Sequence, residues 1–321
     1  MQRYCVRAVR TGRATGVLTM AKKWTSGDIP SQRGKLAVVT GANRGLGLEI
    51  SSALAAAGAR VVMACRDISR AQSALDAVKC RAPQAEVELL AVDLASLDSI
   101  RIFSKAFASR YDKIDILCNN ASAIMVPMQK TRDGFEMHIG VNHLGHFALT
   151  GRLLPQLLAA PAARIVNTSS MAHRLTPGLD LNDLHFAHAP YKEMDAYGRS
   201  KLATLLFTFE LDRRLKKAGK PALATVSHPG YAATNPDLGG FFMRLMTRLM
   251  AQPPAMGALP ALYAATAPDV CGGDYYGPGG FKELGGHPVK VDCRSEARDE
   301  KLAAQLWALS EQLTGVSYAA L

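Results

Sequence analysis

The stretch from Lys35 to Ala64 constrains this chain more than any other. Lys35-Leu-Ala-Val-Val-Thr40 is short, apolar and β-branched, the composition of a buried strand. Gly41-Ala-Asn-Arg-Gly45-Leu-Gly47 follows at once, then the apolar-periodic run Leu48–Ala57, which reads as a helix, and Ala59-Arg-Val-Val-Met-Ala64, which reads as a second strand. A strand, a glycine turn, a helix and another strand in this order make a βαβ unit of about 30 residues. The glycines let the backbone turn tightly and approach an anion closely, and a helix start favours negative charge. The spacing Gly-x-x-x-Gly-x-Gly lacks the Gly-Lys-Ser/Thr of a P-loop and differs from the fingerprint Gly-x-Gly-x-x-Gly. A plain tight turn between strand and helix is the competing reading.

The alternation continues down the chain. Glu86–Val92, Ile114–Cys118, Ala163–Thr168 and Ala222–Ser227 read as strands, and Ser96–Arg110, Phe135–Leu158 and Tyr197–Ala218 as helices. Gly272-Gly-Asp-Tyr-Tyr-Gly277 predicts a short last strand and Asp299–Thr314 a terminal helix. Strands and helices in alternation predict one parallel sheet covered on both faces. Ligands of such sheets sit at the carboxyl ends of the strands. No repeat or low-complexity linker interrupts the pattern, so residues 31–321 are expected to form one domain, with insertions at about 171–196 and 231–267.

Two features at strand ends bear on chemistry. In a dinucleotide fold an acid after the second strand suits the ribose 2′-hydroxyl of NAD, and an arginine suits the 2′-phosphate of NADP. Arg66 follows Ala64-Cys65 and Arg44 lies in the glycine turn, so two guanidiniums favour NADP(H), with NAD(H) left open by Asp67 next door. Asp67 reads better as the cap of the helix from Ser69 onward. Further on, Tyr197-Gly-Arg-Ser-Lys201 sets a tyrosine and a lysine on one helix face. A tyrosine ordinarily ionises near pH ~10, and a nearby ammonium lowers that value. Such a tyrosine can serve as acid or base. Alone, the pair also fits an aromatic anchor beside a solvated lysine.

The net charge of +11 is concentrated at one end: residues 1–35 hold eight Lys and Arg against Asp28 alone. The body is only mildly basic and shows no nucleic-acid stripe. The Arg-rich start reads either as a transit peptide or, the favoured reading, as an extension ahead of a start at Met20; residues 1–30 are expected to be an N-terminal extension, disordered or in part an over-extended start. No apolar run reaches the ~18–20 residues of a membrane span. Phe241–Met250, apolar with interleaved arginines, reads as a substrate lid, a membrane-surface helix or plain packing, which keeps peripheral membrane contact open. Cys5, Cys65, Cys80, Cys118, Cys271 and Cys293 show no metal or redox spacing, and all six are expected to be reduced in a cytoplasmic protein. His173, His185 and His188 fit no standard metal site, so residues 171–196 are expected to form a surface flap without metal.

Taken in order, Thr40-Gly-Ala-Asn-Arg-Gly-Leu-Gly47, Asn119-Asn-Ala121, Asn142, Ser170, Tyr197-x-x-x-Lys201 and Pro229-Gly230 resemble the short-chain dehydrogenase/reductase family, over residues 34–285. Ala64-Cys-Arg-Asp67, Val141-Asn-His-Leu-Gly-His-Phe147, Ile165-Val-Asn-Thr-Ser-Ser170 and His228-Pro-Gly230 are similar to its retinol-dehydrogenase, WW-domain-oxidoreductase and protochlorophyllide-reductase branch. The segments Trp24–Pro30 and Tyr275–Pro278 are similar to bacterial members of that branch.

The resemblance implies a single-domain Rossmann-type doubly wound parallel sheet of about seven strands with helices on both faces. It implies an NADP(H)-dependent oxidoreductase that interconverts a carbonyl and an alcohol on a small apolar molecule. Tyr197 would be the acid/base. Lys201 would lower its pKa and hold the nicotinamide ribose. Ser170, with Ser169 as runner-up, would bind the substrate oxygen, and Asn142 would hold a relay water. Gly41, Asn43, Arg44, Gly45, Leu46 and Gly47 would cradle the cofactor phosphates. Arg66, Asp93, Leu94, Asn119 and Ala121 would meet the adenosine half, and Pro229 and Thr234 the nicotinamide. Ser122 and Asn43 depart from the family's glycines, and neither change should abolish binding. The family often dimerises through helices around 135–158 and 198–217, and apolar periodicity does not separate a dimer face from core. Two other readings stand beside the main one: a silent NADP(H)-binding sensor or scaffold, and a reductase of carbon–carbon double bonds.

Overall fold

The computed structural model describes residues 23–231 and 252–321, so the expectations placed on residues 1–22, on Thr234 and on Phe241–Met250 lie outside the described residues. The apolar runs form the strands β1 (Leu36–Thr40), β2 (Arg60–Cys65), β3 (Val87–Ala91), β4 (Ile116–Asn119), β5 (Arg164–Thr168), β6 (Leu223–Ser227), β7 (Tyr275–Pro278) and β8 (Pro288–Lys290). They make one sheet in the order β3-β2-β1-β4-β5-β6-β7-β8. The first seven run parallel, and β8 pairs antiparallel with β7 through Tyr276↔Lys290 and Pro278↔Pro288. The sheet therefore has eight strands, one more than expected. Pro288-Val-Lys290 escapes sequence reading because it is three residues long, with two of them exposed.

Side chains alternate across a strand, so a strand buried on both faces feeds two cores. Leu36 and Val38 of β1 enter one core with Phe103, Phe147 and Phe207; Ala37 and Val39 enter the other with Ile50, Leu54 and Val78. The second face is covered by α1 (Gly45–Ala56) and α2 (Ile68–Arg81). Asp67 caps α2 by accepting the Arg70 amide at 3.0 Å, as its position suggested. The first face carries α3 (Leu97–Ala108).

The expected helical stretch over Phe135–Leu158 is present: α4 (Met137–Ile139) continues through a π-helical turn (Gly140–Gly145) into α5 (His146–Arg152), and after Leu153 the chain resumes as α6 (Leu154–Ala159). The π-helical turn lies where other segments press close: a Cβ on Gly145 would lie 2.5 Å from the Leu94 carbonyl oxygen, and one on Gly140 would lie 2.5 Å from Thr131 Cγ2. The helix that carries Tyr197, α7 (Glu193–Lys217), begins one turn before the tyrosine. In the region expected as an excursion over 231–267, α8 (Pro254–Thr266) packs into the core beside α1. Residues 23–30 are docked rather than free: the Trp24 ring meets Tyr263 edge-on at 5.1 Å, and the Trp24 carbonyl lies 2.9 Å from His287 Nδ1.

The terminal helix α9 (Glu300–Thr314) and the tail after it cover α5 and α7. Trp307 lies 5.2 Å from the Phe147 ring and 5.8 Å from Phe207, and the Tyr318 hydroxyl donates to the Phe147 carbonyl at 2.7 Å. The chain's own C-terminus thus buries these faces of the two helices that the family resemblance associates with dimers. Cys65, Cys80, Cys118 and Cys293 are free thiols. The expectation of six reduced cysteines fails at Cys271, which is disulfide-bonded. Pairing depends on approach in space, which scattered positions in the sequence do not reveal.

Candidate active site

Strand order reverses between β1 and β4, and the glycine turn leaves β1 there. This is the switch point at which ligands of such sheets bind. Gly41 adopts φ +65°, and its amide donates to the Ala64 carbonyl at 2.9 Å. A Cβ on Gly47 would sit 2.3 Å from the Gly41 carbonyl oxygen, so the start of α1 presses directly on the turn. Arg44 precedes α1 without a capping side-chain bond, and its own side chain is exposed. Asn120, a residue missed by the sequence reading, braces the turn by donating from Nδ2 to the Thr40 carbonyl at 2.9 Å. The Thr40 hydroxyl oxygen accepts the Asn120 and Ala121 amides at 2.9 and 3.0 Å, locking the ends of β1 and β4 together.

A cavity of about 500 Å³ opens beside the ends of β2 and β3, lined by Arg66, Asp67, Asp93, Ser99 and Arg132 among others. Arg66 and Arg132 are exposed, and neither side chain has a partner among the described residues. Asp93 turns one oxygen to the Ala95 amide at 3.0 Å. Two other expected contacts are placed differently. Leu94, expected beside Asp93, is buried in the core, and Leu46, expected at the phosphates, packs against the other core. Asn119 is buried, with its amide donating to Thr150 Oγ1 at 2.9 Å and Asn167 Oδ1 at 2.8 Å. An uncapped helix start behind tightly packed glycines, with unpartnered cations beside a cavity, fits a dinucleotide with its pyrophosphate at α1.

At the ends of β5 and β6 stand the catalytic candidates. Ser169 and Ser170 separate cleanly. Ser169 is buried and donates to the Lys201 carbonyl at 3.0 Å, tying β5 to α7. Ser170 is half-buried, its oxygen accepts the Ala172 amide at 3.2 Å, and its side chain lies near enough to Tyr197 to pull that phenol's pKa down. Lys201 is buried, its Nζ donates to the Thr168 carbonyl at 2.9 Å, and it lies 5.6 Å from the centre of the Tyr197 ring.

The expected lowering of the tyrosine by the lysine is not what governs this arrangement. Burial pushes Tyr197 up to about 12, against the downward pull of Ser170, and brings Lys201 down to about 7. Burial disfavours charge on both, so an acid and a base move in opposite directions.

Asn142 sits in the π-helical turn, a feature that recurs at functional sites. Its Oδ1 accepts the Ala123 amide at 2.8 Å and the Ser122 hydroxyl at 3.1 Å, and its Nδ2 donates to Ala123 O and Ser200 Oγ at 2.9 Å each. Its carbonyl lies 3.2 Å from His146 Nδ1, and His146 Nε2 lies 3.0 Å from the Thr40 hydroxyl. Burial pushes His146 down to about 3, so the ring stays neutral as a link between the glycine turn and Asn142. Pro229 is half-buried at the end of β6, where its carbonyl accepts Gln252 Nε2 at 2.6 Å.

The short chain dehydrogenase family model matches residues 35–182. Retinol dehydrogenase 13 of Homo sapiens is 36% identical, over 98% of this chain and 96% of that protein. This chain belongs to the short-chain dehydrogenase/reductase family. Within it, the retinol dehydrogenase branch is indicated: retinol dehydrogenase 12 of Mus musculus is 39% identical, over 89% of this chain and 88% of the relative. A solved structure of a protein from Mycobacterium Paratuberculosis aligns with TM-score 0.78 and 40% identity, covering 92% of this chain and 99% of that one. The short-chain dehydrogenase described here is accordingly an NAD(P)-dependent oxidoreductase acting between CH–OH and C=O groups.

Proposed function

We propose that this short-chain dehydrogenase prefers NADP(H) and interconverts a carbonyl and an alcohol on an apolar small molecule, with Tyr197 as acid/base. The observation that carries the reading is the convergence of Ser170, Tyr197 and Lys201 at the carboxyl ends of the strands: Ser170 beside Tyr197, with Lys201 buried and its Nζ 5.6 Å from the centre of the ring. A bound nicotinamide supplies or accepts the hydride. Tyr197 gives a proton to the carbonyl oxygen in reduction and removes one from the alcohol in oxidation. Ser170 holds that oxygen within reach of the phenol. Lys201 stabilises the phenolate when it carries charge, since a cation nearby favours the ionised form. Asn142 keeps the Ser122-Ala123 wall and Ser200 in place, and Pro229 borders the nicotinamide side.

Arg66 and Arg44 support the preference for the 2′-phosphate, being exposed guanidiniums without partners among the described residues. Since the named relatives are retinol dehydrogenases, all-trans-retinal is the first aldehyde to test, alongside a panel of aliphatic aldehydes and ketones. Fluorescence titration tests the cofactor, and tighter binding of NADH than NADPH would overturn the preference. Loss of turnover in Tyr197→Phe tests the mechanism, and near-normal turnover would overturn it. Product analysis separates a carbonyl reductase from a double-bond reductase.

A further inference from the structure

The expected surface flap 171–196 sends one tyrosine inward. The Tyr191 hydroxyl lies 3.1 Å from Glu136 Oε1, 3.0 Å from His138 Nδ1 and 3.0 Å from the Val126 carbonyl. Glu136 and His138 are both fully buried. The Glu136 carboxylate accepts the backbone amides of His138 and Ile139, at 2.9 and 2.8 Å, and lies 2.8 Å from His138 Nδ1. Burial alone would raise this carboxyl, but the bonds from the His138 side chain and the two amides hold it below its ordinary range.

The other ring nitrogen fixes the tautomer. His138 Nε2 accepts the Val126 amide at 3.2 Å, so the proton belongs on Nδ1, facing the carboxylate. The imidazole is therefore held on both edges. One of its neighbours is Tyr191, stacked at 6.4 Å, and another is Tyr197, edge-on at 6.0 Å. The same array grips the segment 122–126 at the end of β4. Val126 is held by His138 and Tyr191 at one end and Ala123 by Asn142 at the other, with Met125 between them in the left-handed region at φ +49°. A bulky residue adopts that conformation only where its surroundings impose it.

We propose that Glu136, His138 and Tyr191 are positioning residues for Tyr197, by which the insertion sets the angle of the catalytic ring and the wall beside it. The inference rests on the reading of Tyr197 as the acid/base. It ties the flap to turnover, because Tyr191 reaches the Glu136–His138 pair from an element 55 residues away in the chain. Glu136 and His138 are fully buried and the Tyr191 hydroxyl is turned onto them, so each acts through the ring of His138 or through the Val126 peptide.

Tyr191→Phe tests the inference in the full chain with NADPH bound, because it keeps the ring that packs 5.2 Å from Phe186 and removes only the hydroxyl. Glu136→Gln serves as the second variant. The expected result is a kcat for retinal reduction lowered roughly ten- to a hundred-fold, with NADPH affinity unchanged, since small misplacements of reacting groups carry penalties of that order. In 13C-tyrosine-labelled protein, the Tyr197 ring resonances, assigned by their loss in Tyr197→Phe, should move in Tyr191→Phe. Unmoved Tyr197 resonances with wild-type kcat would overturn the inference, even if the melting temperature falls, for then the array only stabilises the fold. Full turnover in Tyr197→Phe would instead overturn the acid/base reading, and a moved Tyr197 resonance would still support the positioning. The resonance also decides the matter if wild-type protein leaves retinal unreduced.

Discussion

At the glycine-turn end of the site, Arg44, Arg66 and Arg132 are exposed, with no side-chain partner among the described residues. At the tyrosine end, Lys201, Glu136 and His138 are buried, and each is bonded inside the chain. The two ends use charge in different ways. A solvated guanidinium keeps its charge at little cost to folding and attracts a phosphate, with a strength that salt screens over ~8–10 Å. A buried group keeps its charge or neutrality only through particular partners, so its pKa, and hence its chemistry, is set by packing. Affinity should therefore be adjustable at one end with little effect on stability, while changes at the other end should strike turnover or the fold.

The largest expected effect is at the buried end. Tyr197→Phe should lower turnover roughly 10²- to 10⁴-fold, the span of general acid–base catalysis, while NADPH titration changes little. Loss of NADPH binding in that variant would erase the contrast. Next comes stability. Glu136→Ala leaves the His138 and Ile139 amides and the His138 Nδ1 proton without their acceptor. It should cost roughly 2–5 kcal/mol in urea unfolding. Arg66→Ala, by contrast, should stay within about 0.5 kcal/mol, as surface changes do.

At the exposed end, Arg66→Ala should weaken NADPH roughly ten- to a hundred-fold, the weight of a charge-assisted hydrogen bond, and leave NADH nearly unchanged. Arg132→Ala should weaken NADPH by a smaller factor, and added salt should weaken NADPH more than NADH, both read by fluorescence titration. Equal losses for both cofactors would place these arginines away from the 2′-phosphate.

The smallest effect concerns pH. Burial brings Lys201 down to about 7 from an unfolded value of 10.5. Between those values the unfolded chain binds a proton that the folded chain does not, so this group makes stability rise as pH rises from about 7 toward 10.5. Lys201→Met, which buries no charge, should melt a few degrees above the wild type at pH 7, and the gap should narrow by pH 10. A gap that does not change with pH would mean that Lys201 is already paired when charged.

Much of the fold was legible because it is written locally. Strand and helix periods, the glycine turn, the Asp67 cap and the Tyr197–Lys201 spacing each need only a few neighbouring residues. The eighth strand was not legible, since Pro288-Val-Lys290 becomes a strand only by pairing with β7. The π-helical turn at Gly140–Gly145 was also hidden, since Leu94 and Thr131, which crowd its glycines, come from other segments. Asn120 had a signal in the run Asn119-Asn-Ala121, but which of the two asparagines braces the turn depends on which faces β1. Glu136, His138 and Tyr191 had no shared signal at all.

By itself, then, the sequence determined a parallel sheet with covered faces, a glycine turn at the end of its first strand, and a tyrosine one helical turn before a lysine. These follow from backbone geometry and from hydrophobic period, both of which act over short stretches of chain. The tertiary structure alone decided that Ser170 rather than Ser169 lies beside the tyrosine, that burial is the leading influence on the tyrosine's pKa, that the C-terminal tail covers α5 and α7, and that Tyr191 of the flap meets His138 next to the Tyr197 ring. The reason is the same in each case: burial and hydrogen-bond partners come from segments far apart in the chain, and desolvation acts on whatever the fold has enclosed.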